Sequence, residues 1–364
     1  MDSLREAIVA NSSFWLPVGG LLIGALFGAI VQTTNFCTMG SLSDMAAFGD
    51  SRRFRAWVLA AGLAILGAQI LAFEGVAPLT KSMYLAAPRL NWAGNVLGGL
   101  FFGVGMALAG GCASRNLVRV GAGDLRSLVN LIFVGLFAYI TIGGLFGPIR
   151  VALENATSVS LTRFGVSTQS LGDLLGASLH VSREAANLGT GIAISIAVIL
   201  WAFSNKDFAT SKTHVAAALG VALCVIAGWA LTGLAYDEMA ANPAAPISLT
   251  YVRPAGDSVE WLQRYTALGA PGFGVATVGG AILGAFFAAK LTGRFRISTF
   301  ADPGDMLRNL TGAMFMGVGG VMGLGCTIGQ AVTGVSTLAV GSFLTFVAIV
   351  VGGLGGVKLM ERLA

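Results

Sequence analysis

Gly323-Leu324-Gly325-Cys326-Thr327-Ile328-Gly329 interrupts an apolar run, and two other stretches share its setting. They are Gly110-Gly111-Cys112-Ala113-Ser114 and Asn35-Phe36-Cys37-Thr38-Met39-Gly40. A glycine-rich break in a membrane helix frees backbone N–H groups. Hydrocarbon tolerates this only where the break is buried in protein or lines a cavity. A thiol beside each break places the same soft, weakly donating group at three points of one interior.

The flanking runs are long enough to cross a membrane. Nine apolar segments are read at roughly 14–32, 57–73, 92–110, 127–147, 187–203, 213–234, 269–290, 310–325 and 338–357. About 20 apolar residues span the ~30 Å hydrocarbon core. Of 364 residues, 55% are hydrophobic and 11% charged, and the mean hydropathy is +0.80. A soluble domain carries roughly 25% charge. The composition predicts an all-α, polytopic membrane protein. Most of the 52 glycines are read as sites of close helix packing. The N-terminus lacks the strongly basic region of a cleavable signal, so the first run is read as a span.

The net charge of +5 does not point to nucleic acid, because the basic residues lie between spans, where they set orientation. Strict alternation puts fourteen of the 22 Lys and Arg residues on one face, in the clusters around Arg53, Arg119, Lys206, Arg294 and Lys358. The positive-inside rule makes that face cytoplasmic, with the N-terminus outside and the C-terminus inside. One integral membrane domain over 1–364 is expected. Its halves lie at about 14–150 and 187–358, with outer loops at about 148–186 and 235–268. Amphipathic stretches at 170–175 and 258–262 predict short helices in those loops.

Aligned on the cysteines, the chain repeats itself. Gly98/Gly312, Gly103/Gly317, Val104/Val318, Gly105/Gly319, Gly111/Gly325 and Val118/Val332 match at equal offsets from Cys112 and Cys326. Related elements in opposite orientation mark transporters, with the solute held at broken helices. A second match, Gly19-Gly20 with Gly279-Gly280, relates segments that run parallel in this topology. The two relations do not fit one simple symmetry, so some of the nine segments are expected to be re-entrant rather than spanning.

Each motif reads as an incoming helix, a break, and a short helix whose N-terminus faces the break. Free N–H groups and the positive dipole end favour an anion there. A thiol adds a polarizable, weak partner. Such a site suits thiosulfate and needs no fixed cation, and conduction requires weak sites in series. The alternative is that a free cysteine is merely a small buried hydrophobe. That is the reading of Cys224, which lies in an unbroken apolar helix. The candidate pathway residues are Cys37, Cys112, Cys326, Gly111, Gly325, Thr38, Ser114, Asn116, Thr327 and Gln330, with Arg115 and Arg119 as anion-attracting groups. His180 and His214 have no partner at ligand spacing, so no metal or other cofactor is expected. No nucleotide-binding motif is found.

At these residues the chain resembles the YeeE/YedE family of bacterial inner-membrane sulfur transporters. The likeness rests on Phe36-Cys37-Thr38-Met39-Gly40, on Gly111-Cys112 with Leu117 to Gly123, and on Gly325-Cys326-Thr327-Ile328-Gly329 with Thr333-Gly334. The resemblance implies an hourglass-like helical protein that relays thiosulfate past Cys37, Cys112 and Cys326. It also implies, for some members, a small cytoplasmic sulfur-carrier partner of the TusA type. Arg115 stands where the family often has glycine, Gln330 where it often has histidine, and Ser43-Asp44 near a common arginine. Two alternatives stay open. The cargo could be sulfide, a persulfide or a selenium compound. The chain could instead be a membrane thiol–disulfide oxidoreductase, against which stand the lack of a CxxC pair and motif cysteines 75 and 214 residues apart.

Overall fold

The computed structural model describes residues 2–240 and 243–363, most of them helical; residues 241 and 242 of the second expected loop lie outside the described residues. Each apolar segment forms one helix. They are α1 (Ser12–Thr34), α2 (Arg52–Phe73), α3 (Trp92–Leu108), α4 (Leu125–Ile142), α5 (Arg183–Phe203), α6 (Lys212–Leu234), α7 (Phe273–Leu291), α8 (Pro303–Met322) and α9 (Val340–Leu363). All but α8 are long and apolar enough to cross a membrane; α8 begins with the charged residues Asp305 and Arg308. The protein is a multi-pass helical membrane protein. Leu22, Leu200, Leu223, Phe287 and Val347 point outward, as a lipid-facing surface requires.

Small residues set how closely the helices pack. Lipid is as apolar as a leucine side chain, so burial adds little between membrane helices and close van der Waals fit decides which faces meet. Helices α1 and α7 run parallel along such a seam. Gly24 and Gly28 lie on the backbones of Thr277 and Ala281, and Gly280 and Gly284 lie on those of Leu21 and Ala25. Helices α3 and α8 run antiparallel, with Gly98 against Gly319 and Gly105 against Gly312. These four glycines are the repeat's own matches, so each repeat packs on the other through equivalent positions. Gly103 of α3 then meets Gly353 of α9, as its counterpart Gly317 of α8 meets Val134 of α4. The pseudo-repeat is therefore α3–α4 against α8–α9.

The two faces are joined by contacts between their own loops. On the basic face Arg53 donates to the Asn35 carbonyl at 2.8 Å, Arg55 to Ser204 Oγ at 3.1 Å, and Asp124 bridges to Ser298. On the opposite, loop face Lys81 pairs with Glu238, Arg89–Leu90 pairs with Val159–Ser160, and Ser170 bridges to Ala339. Short helices form at Leu171–Leu179 and Arg253–Leu268, where the amphipathic stretches predict them. One part of the loop face runs inside the protein. Residues 247–252 are non-helical, and Leu249 and Tyr251 are fully buried. Such backbone survives at membrane depth only if protein satisfies it. Thr232 Oγ1 bonds both the amide and the carbonyl of Ile247, and Thr333 Oγ1 donates to the Leu249 carbonyl at 2.7 Å.

The seams make a prediction. A methyl group added at Gly284 would sit 1.9 Å from the Ala25 carbonyl oxygen, whereas one at Gly189 would meet nothing within 4 Å. Gly284→Ala should force α1 and α7 apart and lower the melting temperature in detergent sharply, or abolish extraction of folded protein. Gly189→Ala should melt like the parent chain. Equal melting of the two variants would mean that the seam does not hold α1 against α7.

Candidate functional site

All three cysteines sit at helix breaks, and each begins a short helix. Helix α1 ends at Asn35, whose φ of 54° turns the chain, and Cys37 caps the helix Thr38–Phe48. Helix α3 ends before Gly110, and Cys112 precedes the helix Ala113–Gly121. Helix α8 ends before Leu324, and Cys326 precedes a helical turn that widens into a π-helix over Gly329–Gly334.

The second and third breaks have the same internal bonding. Gly111 N–H donates to the Met106 carbonyl at 2.9 Å, and Gly325 N–H to the Gly320 carbonyl at 2.6 Å. This is the 6→1 bond that closes a helix C-terminus through a left-handed residue. That residue is Gly110 (φ 64°) in one break and Leu324 (φ 61°) in the other. Leucine is strained in this conformation, since its Cβ crowds the backbone there.

Each sulfur lies over the start of its short helix. Cys37 Sγ accepts from the Gly40 amide at 3.4 Å, and Cys326 Sγ from the Gly329 amide at 3.3 Å. Cys112 Sγ faces the equivalent Arg115 amide without reaching cap geometry, and its hydrogen bond is with Ser114 Oγ at 3.2 Å. The break carbonyls are served by side chains from the short helices. Asn116 Nδ2 donates to the Gly111 carbonyl at 2.9 Å, Gln330 Nε2 donates to the Gly323 carbonyl, and Arg119 donates to the Gly110 carbonyl at 2.8 Å.

The breaks converge. Cys37 and Cys112 lie within side-chain interaction range of each other, and Cys112 is within reach of Thr327, the residue next to Cys326. All four cysteines are free and buried. Arg115 is half-buried beside Cys37 and Cys112, held by Asn35 Oδ1 at 3.0 Å and the Val31 carbonyl at 3.5 Å. One guanidinium, that of the expected anion-attracting residue Arg115, thus stands at the thiols. Cys224 lies apart on α6, in unbroken helix. Among the described residues no three metal-ligating side chains gather, and His214 bonds only Ser211 Oγ.

Two cavities flank this layer. One of about 330 Å³ opens toward the loop face and is lined by Leu324, Gly325, Thr250, Val252, Arg150 and Arg253. One of about 210 Å³ opens toward the basic face and is lined by Gly110, Asn116, Arg119, Arg126, Asn130 and Asn309. Each touches the break of one repeat.

Among the described residues seven buried side-chain polar atoms have no hydrogen-bond partner: Thr38 Oγ1, Thr327 Oγ1, Gln330 Oε1 and Tyr251 Oη at or near the motifs, and Trp57 Nε1, Asn95 Oδ1 and Asn130 Oδ1 elsewhere. More than 90% of buried polar groups in folded proteins are paired. Thr38 and Thr327 each follow a motif cysteine directly, so the unpaired hydroxyls recur with the motif.

Several residues that shape the site escaped the sequence reading. Tyr84 Oη donates to the Gly329 carbonyl at 2.6 Å, and Gln69 Nε2 to the Ser336 carbonyl at 2.8 Å, holding the π-helical segment. Asn130 bridges Asn116 and Asn309 in the wall of the basic-face cavity. Polar side chains in apolar helices are a usable signal for such residues. Asn309 was also within reach of the repeat, since it matches Asn95 at the offset that relates Cys326 to Cys112.

A helical membrane protein with inverted, broken helices and a cavity at the break of each repeat has the architecture of a solute transporter. The chain belongs to the sulphur-transport family, which matches residues 33–354. It is 28% identical over 340 residues to the thiosulfate transporter TsuA of Spirochaeta thermophila, covering 92% of this chain and 96% of that one. It is 26% identical over 364 residues to TsuA of Escherichia coli, covering 93% of each. A shorter match, 28% over 125 residues, joins 33% of the chain to 29% of the probable transporter YedE of Escherichia coli.

The bonding at the second break can be tested through stability. Asn116→Ala leaves the buried Gly111 carbonyl short of a donor, while the Cys112 carbonyl keeps the Asn116 amide. It should cost about 1–3 kcal/mol, read as a lower melting temperature in detergent. An unchanged melting temperature would mean that the break does not depend on this carboxamide.

Proposed function

We propose that the chain takes up thiosulfate across a bacterial inner membrane, moving it past Cys326, Cys112 and Cys37 in turn. The observation that carries this reading is the layer itself: three thiols over helix N-termini, with the unpaired hydroxyls of Thr38 and Thr327 beside them, between cavities on opposite faces. Free amides and dipole ends favour the anionic end of the solute, and the polarizable thiols suit its terminal sulfur. Each site is weak alone, as conduction requires. Family membership and relatives named for thiosulfate transport along nearly the whole chain support the same cargo.

The orientation follows from charge. The basic face is cytoplasmic, and the loop face receives the solute. Arg150 and Arg253 border the loop-face cavity, paired with Glu154 at 2.7 Å and Asp257 at 3.6 Å, and Arg115 draws the anion inward from Cys326 toward Cys112 and Cys37. Movement is channel-like or gradient-driven. At the cytoplasmic mouth, a small sulfur-carrier protein of the TusA type would collect the anion. The nearness of Cys37 to Cys112 supports a second reading, a thiol–disulfide couple, which requires sulfurs that can meet.

Cys112→Ala and Cys326→Ala, and with them Cys37→Ala, should abolish thiosulfate uptake or cut it at least about tenfold while membrane expression holds. That loss corresponds to one step weakened by roughly 1.4 kcal/mol or more. The serine variants should also be strongly impaired, and Cys224→Ala should transport normally. Uptake that fails in Cys224→Ala and persists in Cys112→Ala would refute the relay. Mass spectrometry of thiols from fresh membranes separates the second reading, which requires a reversible Cys37–Cys112 disulfide.

In intact spheroplasts, a small charged thiol reagent should modify Cys326 before Cys112, and thiosulfate should slow that reaction. Preferential modification of Cys112 from outside would reverse the proposed direction.

A further inference from the structure

Two tyrosines flank the Cys326 thiol, and the fold uses the hydroxyl of only one of them. Tyr84 Oη donates to the Gly329 carbonyl at 2.6 Å, so its hydroxyl holds the π-helical segment in place. Tyr251 is fully buried, yet its hydroxyl has no partner. A buried tyrosine hydroxyl nearly always finds one, because burying it unpaired costs free energy.

Tyr251 lies on the buried, non-helical segment 247–252. Its neighbours Ile247, Thr250 and Val252 line the loop-face cavity together with Leu324 and Gly325 of the Cys326 break. Thr250 also touches the short helix behind that cysteine, since a methyl group at Gly329 would sit 2.3 Å from Thr250 Oγ1. The segment is therefore the wall between the cavity and the thiol. Tyr251 does not line the cavity. Its ring packs on Phe27 with centroids 5.3 Å apart, its backbone amide faces Cys326 Sγ, and its hydroxyl is in electrostatic range first of Cys224 and then of Cys326.

We infer that Tyr251 is a substrate-binding residue whose hydroxyl donates to an oxygen of the sulfur oxyanion as it reaches Cys326 from the loop-face cavity. The inference rests on the transport reading above and adds a residue to it. A thiol is a poor donor to oxygen, and the amides near Cys326 are partly turned to its sulfur. A phenol supplies a strong donor at that point. It is neutral, so it holds the anion without trapping it as a fixed cation would. The hydroxyl left unpaired by the protein's own groups is the one the solute pairs.

The test is Tyr251→Phe in the full chain, assayed in membrane vesicles with radiolabelled thiosulfate over a range of concentrations. KM should rise about tenfold or more, the loss expected for a hydrogen bond to a charged group. The melting temperature in detergent should stay the same or rise, because the variant removes a buried group that nothing satisfies. Thiosulfate should also lose its protection of Cys326 against the charged thiol reagent at concentrations that protect the parent. An unchanged KM overturns the inference. So does a lower melting temperature, which would give the hydroxyl a structural partner. Cys112→Ala in the same vesicles keeps the two levels apart. If Cys112→Ala still transports, the relay fails and this inference falls with it. If Cys112→Ala is inactive while Tyr251→Phe keeps the parent KM, only the role of Tyr251 is lost.

Discussion

A broken helix in hydrocarbon exposes backbone groups that water cannot reach, and the centre of this protein is organised around that constraint. Three breaks meet there, and each is closed from within. Sulfurs lie over the free amides, Asn116, Gln330 and Arg119 reach back to the freed carbonyls, and Tyr84 and Gln69 hold the π-helical segment from outside it. Against so complete a set of partners, the few hydroxyls left unpaired stand out. They lie at Thr38, Thr327 and Tyr251, beside the thiols, and their position gives them meaning.

The breaks are brought together by two different seams. Helices α3 and α8 cross antiparallel through the glycines of the repeat, which places the Cys112 and Cys326 breaks on opposite sides of one layer, each open to its own cavity. Helices α1 and α7 run parallel through a separate set of small residues, and α1 delivers Cys37 to the same layer. Two sequence relations that no single symmetry covers belong to two helix pairs, one parallel and one antiparallel. Gly98 facing Gly319 and Gly105 facing Gly312 are the clearest sign of this, because the matched positions pack on each other's counterparts.

Electrostatics at the layer depends on tertiary placement. Arg115 follows Cys112 by three residues, and its side chain turns back across the first break to Asn35 and Val31. A long side chain held by a carboxamide and a carbonyl puts one positive charge beside two thiols. Arg119, one turn on, is engaged by the Gly110 carbonyl and lines the cavity below. Two arginines that look equivalent in the sequence thus act differently. One faces the thiols, and the other holds a break and borders the mouth.

The nine apolar helices, the three breaks and the short helices after them are all legible in the chain. These features follow from local causes: the length of apolar runs, the clustering of glycine, and the charge of the loops between. The shared setting of three cysteines, and the plain helix around Cys224, are legible in the same way. Three-dimensional packing is needed to bring Cys37 to Cys112, to carry residues 247–252 inside rather than over the surface, and to leave Tyr251 rather than Tyr84 with a free hydroxyl. Each of these depends on contacts between residues far apart in the chain, such as Tyr84 with Gly329 or Thr333 with Leu249. Hydropathy and spacing report which residues are buried. They do not report which buried group finds a partner, because that is fixed by the packing of one helix against another.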